Sequence, residues 1–411
     1  MRICFLFAVL FTLLGSVAAA DWPQWRGPSR DGWAGRDEKL AAEAVREPKR
    51  LWKLPIGGGF SSPIIFGDSV IYLDENEGKE VAHCVELISG KERWRLPYAD
   101  VFQDEWGAGP RSTPFTDGEK VFFHSCNGEF RCVDFKSGKV IWGFSFGAYG
   151  VEFLGSKAQE GTATRRGNNG SGILDGDSVI VPVGSKDGAT LVCLKKEDGV
   201  LRWKSGNDEA AYSSPVVANI AGARQVVALT ADYLAGYDRI SGRQLWAVRL
   251  VTNAKRHAMT PIIEGNRIYV NSHTFGLICY EIVNEGGSFK AMQKWKNAEA
   301  KINVATPVLI DGFLYSHGAN KNFICVDAKT GAQRWSQAGF GQQYSSTLAV
   351  GNSLLVISDF GEAVLLRPSP EKYDEIARGQ LAAKNWNHPA LGRGKLVVRD
   401  QRELNCYEAS P

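Results

Sequence analysis

No stretch of the chain after residue 20 approaches the roughly 20 consecutive apolar residues that a membrane helix requires, so no helical span is expected beyond the N-terminus. Charge of one sign is lacking too: 48 basic against 45 acidic residues leave a net +3, too little for a nucleic-acid footprint without clustering. Histidine is scarce, at 6 residues, and no His-x-x-x-His or Cys-x-x-Cys spacing occurs. His257 and His273 fall in one sequence unit, but nothing else of a ligand set accompanies them, and no metal site is expected. A Gly-x-Ser-x-Gly elbow, a phosphate-cradling loop and an adjacent Cys-Cys pair are all missing, so no catalytic residue is nominated.

What is plentiful points to β structure: 45 Gly and 12 Trp suit tight turns and aromatic sheet packing. Before that material begins, Arg2, the apolar run Ile3 to Leu14 and the small residues Ala18-Ala19-Ala20 form a secretory signal pattern, with cleavage expected before Asp21. Cys4 stands at the beginning of the apolar run, not after it, and Asp21 stands where a lipidated Cys would, so lipid anchoring is not expected. The expectation is an exported, periplasmic or extracellular monomer.

One pattern, acidic-x-x-(Ser/Thr)-Gly-x-x-x-Trp, recurs along the chain. It runs from Glu86 to Trp94, Asp134 to Trp142, Asp238 to Trp246 and Asp327 to Trp335, with a variant from Lys195 to Trp203. A stretched copy from Glu281 to Trp295 carries Gly286-Gly287. The acidic side chain can accept bonds from turn N–H groups, Gly supplies positive φ, and Trp returns on the next strand as a packing wedge. Upstream lie β-rich runs opened by Ser62-Pro63, Thr113-Pro114, Ser214-Pro215, Thr260-Pro261 and Thr306-Pro307, while Ser171-Gly172, Ser346-Thr347 and His388-Pro389 occupy the same place elsewhere. Eight such starts predict an all-β, eight-bladed propeller of four-stranded antiparallel blades. The last unit stops before any Trp strand, whereas Trp52 has a strand with nothing before it, so N- and C-terminal strands are expected to pair and close the ring. This divides the chain into a signal at 1–20, an arm at 21–50 in which Trp22, Trp25 and Trp33 pack across the ring, and one propeller domain at 51–411.

The Asp-x-x-Thr-Gly-x-x-x-Trp core resembles the pyrroloquinoline-quinone-like (PQQ-like) repeat family over about residues 51 to 411. Asp21-Trp22-Pro23-Gln24-Trp25-Arg26-Gly27-Pro28 is similar to the opening of secreted propellers of this family from planctomycete-type bacteria. Within the family the chain is similar to the outer-membrane assembly factor BamB, which implies a non-catalytic scaffold binding an envelope protein through inter-blade loops. A second implication is a quinoprotein dehydrogenase with PQQ, Ca²⁺ and an Asp base; its adjacent Cys pair and its acidic and Asn calcium ligands are not found, and no cofactor is expected. Recognition of a carbohydrate or other small molecule at the channel mouth is a third.

Cys84, Cys132, Cys193, Cys279, Cys325 and Cys406 each stand two residues before the acidic position of a different unit. Equivalent atoms in neighbouring blades lie too far apart to bridge, so buried thiols are expected in place of disulfides.

Any site should lie where connectors enter the innermost strands. Four residues before the Pro position stand Asn168, His257, Asn303, Gln343 and Asn385; three before it stand Phe60, Tyr212, Tyr344 and Trp386. Arg111, Arg165, Arg166, Lys255, Arg256 and Lys301 would give the same face a positive potential, against the plainer reading of solvated loop charge. The aromatic series serves either ligand stacking or packing. The connector 143–170, with Phe144, Phe146, Tyr149 and Phe153, is long enough to be a binding loop or a plug.

Overall fold

The repeated turn forms because its acidic residue satisfies the backbone that bends around it. Asp134 accepts from the Ser137 amide at 2.8 Å and its hydroxyl at 2.6 Å, and Asp238 accepts from Ser241 in the same way, both at 2.7 Å. The hydrogen bonds from Ser137 hold the Asp134 carboxyl below the usual carboxylate range. The computed structural model describes residues 20–410 except 36, 153–166 and 256, so all but residue 20 of the signal expected at 1–20 lies outside the described residues.

Eight four-stranded sheets follow in chain order, with innermost strands Ile64–Phe66, Phe115–Thr116, Ile173–Asp175, Val216–Ile220, Ile262–Glu264, Val308–Ile310, Ser345–Val350 and Ala390–Gly392. Each sheet is an antiparallel meander from centre to rim, except that in the eighth the outer strand is Arg50–Pro55 paired with Glu403–Glu408. The expected closure by N- and C-terminal strands is therefore present. No helix among the described residues is long and apolar enough to cross a membrane.

The Gly and the Trp of the repeat meet across blades. Nε1 of Trp52 donates to Leu87 O at 2.8 Å, Trp94 to Phe135 O at 2.9 Å, Trp295 to Ala328 O at 3.0 Å and Trp335 to Ser369 O at 2.8 Å, each carbonyl belonging to the next blade. The turn Gly lies beneath that ring: a Cβ on Gly90 would come within 2.9 Å of Trp52, and one on Gly331 within 2.4 Å of Trp295. Each of these Trp residues also stands directly opposite a repeated Cys on the neighbouring strand, as in Trp94 with Cys84 and Trp335 with Cys325. A small side chain is needed there, and the seven described Cys are all free and buried. Burial pushes the Cys84 thiol up to about 11, so these thiols are unreactive. The strand register slips beside this position in every blade, and where the position holds Trp the bulge turns it toward its neighbour.

Two blades depart from the pattern. The fifth replaces the tight turn by the long hairpin 276–297, and Trp246 of the fourth blade donates instead to Gln225 Oε1 of its own blade at 2.7 Å. In the seventh, Ala377 occupies the Trp position, and the arm's short helix Glu43–Arg46 covers the gap, with Val45 fully buried.

The arm is drawn into the centre of the ring. Its residues 21–34 touch the inner part of all eight blades: Trp22 bridges Ile65, Pro23 O accepts from Thr116 N, Trp25 Nε1 donates to Thr260 Oγ1, Trp33 bridges Ala349, and Asp21 pairs with Arg393. Arg26 donates to Thr306 O and Pro307 O, and Arg30 to Ser171 O, Gly172 O and Pro215 O. Innermost strands present unpaired carbonyls to the axis, and buried carbonyls need donors, which these guanidinium groups supply. No carboxylate among the described residues pairs with Arg30, and burial pushes it down to about 9. A third buried arginine, Arg399, ties the closing seam by donating to Ser61 O, Leu73 O, Gly57 O and Gly58 O.

Two substitutions separate these roles. Gly331→Ala, with φ +77 and the Trp295 ring in the way, is expected to lower unfolding free energy by about 2–4 kcal/mol; Gly312→Ala, with φ +80 and open space, costs about 1 kcal/mol. Denaturant midpoints for both variants check the difference. Arg30→Met strands three inner-strand carbonyls and is expected to cost about 3 kcal/mol or more in the same titration.

Candidate functional site

The Ser/Thr of the Ser/Thr-Pro starts stitches the ring. Ser171 Oγ accepts from Thr113 N at 2.8 Å, Ser214 Oγ from Ser171 N at 2.9 Å, Thr306 Oγ1 from Thr260 N at 3.2 Å, and Ser62 Oγ from His388 N at 2.9 Å across the seam. With this position fixed, the residue two places earlier in each blade faces the channel mouth. There the structure forms a cavity of about 190 Å³. Phe60, Tyr212, Tyr344 and Trp386 line it from the first, fourth, seventh and eighth blades. Arg111, Asn169, Ala258 and Val304 occupy the same position in the others, so every blade contributes. Trp25 of the arm closes the cavity toward the axis, and Trp106 joins from a small hairpin, Gln103–Asp104 with Gly107–Ala108, inserted before the second blade. Trp106 and Trp386 rings stand 5.3 Å apart, and Phe60 and Trp386 5.9 Å.

Of the expected site residues, Arg111, Tyr212, Asn303, Gln343, Tyr344 and Trp386 come together at this mouth. Asn168, His257 and Asn385 do not line it: they turn inward and hold backbone. Asn168 donates to Pro182 O, His257 Nε2 meets Leu250 O at 2.8 Å, and Asn385 donates to Ser358 O at 3.2 Å. Arg165, Arg166 and Arg256 lie outside the described residues, as does Phe153. The hairpin residue Trp106, the arm residue Trp25 and Asn169 are among the lining groups that the sequence did not nominate. Among the described residues no group of three or more His, Cys, Asp or Glu is placed to hold a metal ion.

Arg111 and Lys255, two of the three described mouth cations, are paired. Arg111 grips Asp104 through two nitrogens at 2.8 and 2.5 Å and stacks over Phe60 and Phe102, 5.2 Å from each ring. Lys255 lies 3.1 Å from Asp232 and 3.6 Å from Glu209. Lys301 is exposed. The cavity wall is therefore close to neutral.

Behind Arg111 sits Glu80, fully buried, accepting from Tyr98 Oη at 2.9 Å and Phe102 N at 3.3 Å. Burial outweighs these bonds and the nearby Arg111, raising its carboxyl to about 7. The folded protein thus holds this proton more tightly than the unfolded chain. The stabilisation that Glu80 contributes through this proton is fully present below the ordinary carboxylate range and is lost as pH rises from about 4.5 to about 7, about 3 kcal/mol in all. Glu80→Gln is expected to flatten that dependence, leaving the variant more stable than the parent at pH 8 and similar near pH 4; thermal unfolding at both pH values checks it.

Residues 77–337 match the profile of the family described as outer membrane protein assembly factor BamB. The outer membrane protein assembly factor BamB of Moranella endobia (strain PCIT) is 23% identical over 295 residues, covering 70% of this chain and 72% of that protein. The crystal structure of BamB from Moraxella catarrhalis superposes with a TM-score of 0.60 at 13% identity, over 88% of this chain and 99% of that one. Quinohemoprotein alcohol dehydrogenase from Comamonas testosteroni superposes with a TM-score of 0.52 at 11% identity, over 95% and 80%. At such identities the structural likenesses speak for the fold alone. The match to 77–337, more than half of the sequence, places this PQQ-like repeat propeller in the family described as outer membrane protein assembly factor BamB.

Proposed function

We propose that the chain is a non-catalytic envelope scaffold, exported and monomeric, that holds a protein partner through its inter-blade loops in the manner of an outer membrane protein assembly factor. The observation that carries this reading is the filled centre. Arg26, Arg30 and Trp25 occupy the axis, and the mouth hydroxyls of Ser171 and Ser214 are engaged as stitches, so the ring offers its surface loops to other molecules and no deep reaction chamber. The long connector 143–170, whose described part packs Phe144 and Phe146 against the second blade, is the loop of first interest.

The quinoprotein alternative finds little to hold its group. A quinone bearing carboxylates beside Ca²⁺ needs both unpaired cations and a set of carboxylates; the described cavity wall offers one cation, Arg111, already neutralised by Asp104. No step through a quinone is derived.

The test is a crosslinking recovery from envelope extract with the purified chain and an Arg165→Ala, Arg166→Ala variant. Outer-membrane assembly proteins are expected with the parent and a severalfold lower yield with the variant. Equal recovery would remove the basic loop from the interface, and alcohol-dependent dye reduction after addition of PQQ and Ca²⁺ would overturn the scaffold reading.

A further inference from the structure

We propose that the mouth cavity binds a single neutral sugar ring. This goes beyond the scaffold reading and does not depend on it: of the described residues of the 143–170 connector only Asn169 lines the cavity, and the aromatic wall comes from elsewhere.

Three observations converge. The first is shape and wall chemistry: Trp106, Trp386, Phe60 and Tyr212 surround one small space, and aromatic faces are complementary to the C–H faces of a pyranose. The second is size. A cavity of about 190 Å³ is of the order needed to seat one hexose ring.

The third is polarity without charge. Arg111 is bound to Asp104, so an anion gains little there, yet the rim carries the amides of Asn169 and Gln343. A hydrocarbon or an aromatic peptide side chain would cover these amides without pairing them, whereas sugar hydroxyls both accept and donate. At this ring position the seventh, eighth and first blades present Tyr344, Trp386 and Phe60 in succession, while Ala258 and Val304 of the fifth and sixth leave the wall open beside Tyr212.

The experiment is calorimetric titration of the purified chain with the methyl glycosides of glucose, galactose and mannose, and with N-acetylglucosamine. Saturable binding of at least one, unaffected by added salt, is expected. Trp106 is 43% exposed and its removal does not open the core, so Trp106→Ala should keep the parent's melting temperature while weakening affinity about tenfold. Trp386→Ala should weaken it further. The proposal is overturned if none of these sugars binds saturably, if both variants bind as the parent does, or if N-acetyl-tryptophanamide or glucuronate binds where the neutral sugars do not. Loss of sugar binding in Trp106→Ala with unchanged partner crosslinking would separate this site from the scaffold role.

Discussion

Everything in the ring rests on an indole lying over a glycine. The outer-strand Trp of one blade reaches across to the turn of the next, donates its N–H to a carbonyl there, and occupies space that only a residue without Cβ can vacate. The opposing Cys and the adjacent bulge serve the same contact, one by being small and the other by turning the ring outward. Neighbouring blades are thereby fixed at one separation and angle, and the inner hydroxyl stitches and mouth lining inherit that spacing.

That dependence explains what was legible beforehand. Acidic residue, Gly and Trp act within a few residues of sequence, so blade number, meander order and closure follow from their recurrence. The cross-blade meaning of the pattern was hidden, because Trp94 and the Gly138 beneath it belong to different repeats. The exceptions were equally obscure: nothing in the sequence of the seventh blade announces that Ala377 is compensated by a helix at Glu43–Arg46.

The mouth was half legible for a related reason. Counting back from the Pro position found the aromatic series, since register carries it, but could not say which of two adjacent positions faces the channel. Asn168, His257 and Asn385 belong to the inward-turned position in their blades, while Asn303 and Gln343, at the same count, reach the rim. Trp25 and Trp106 arrive from outside the repeat, one from the arm and one from an inserted hairpin, where periodicity gives no guidance. Charge was the least legible: Arg111 counts as a cation in sequence and as half of an ion pair in space.

The placement of the arm has a topological consequence. Residues 21–34 sit within a ring that is sealed by the strand Arg50–Pro55, and that strand's partner is Glu403–Glu408, so Lys53 meets Glu403 across a separation of 350 residues. The segment made early is used last. Seven blades can meander into shape one after another from local pairings, but the seal awaits the far end of the chain, and it has to form around a plug already threaded through the centre. Closing so long a loop is slow. A chain built this way remains open, its core arginines still hydrated, until its last strand has arrived.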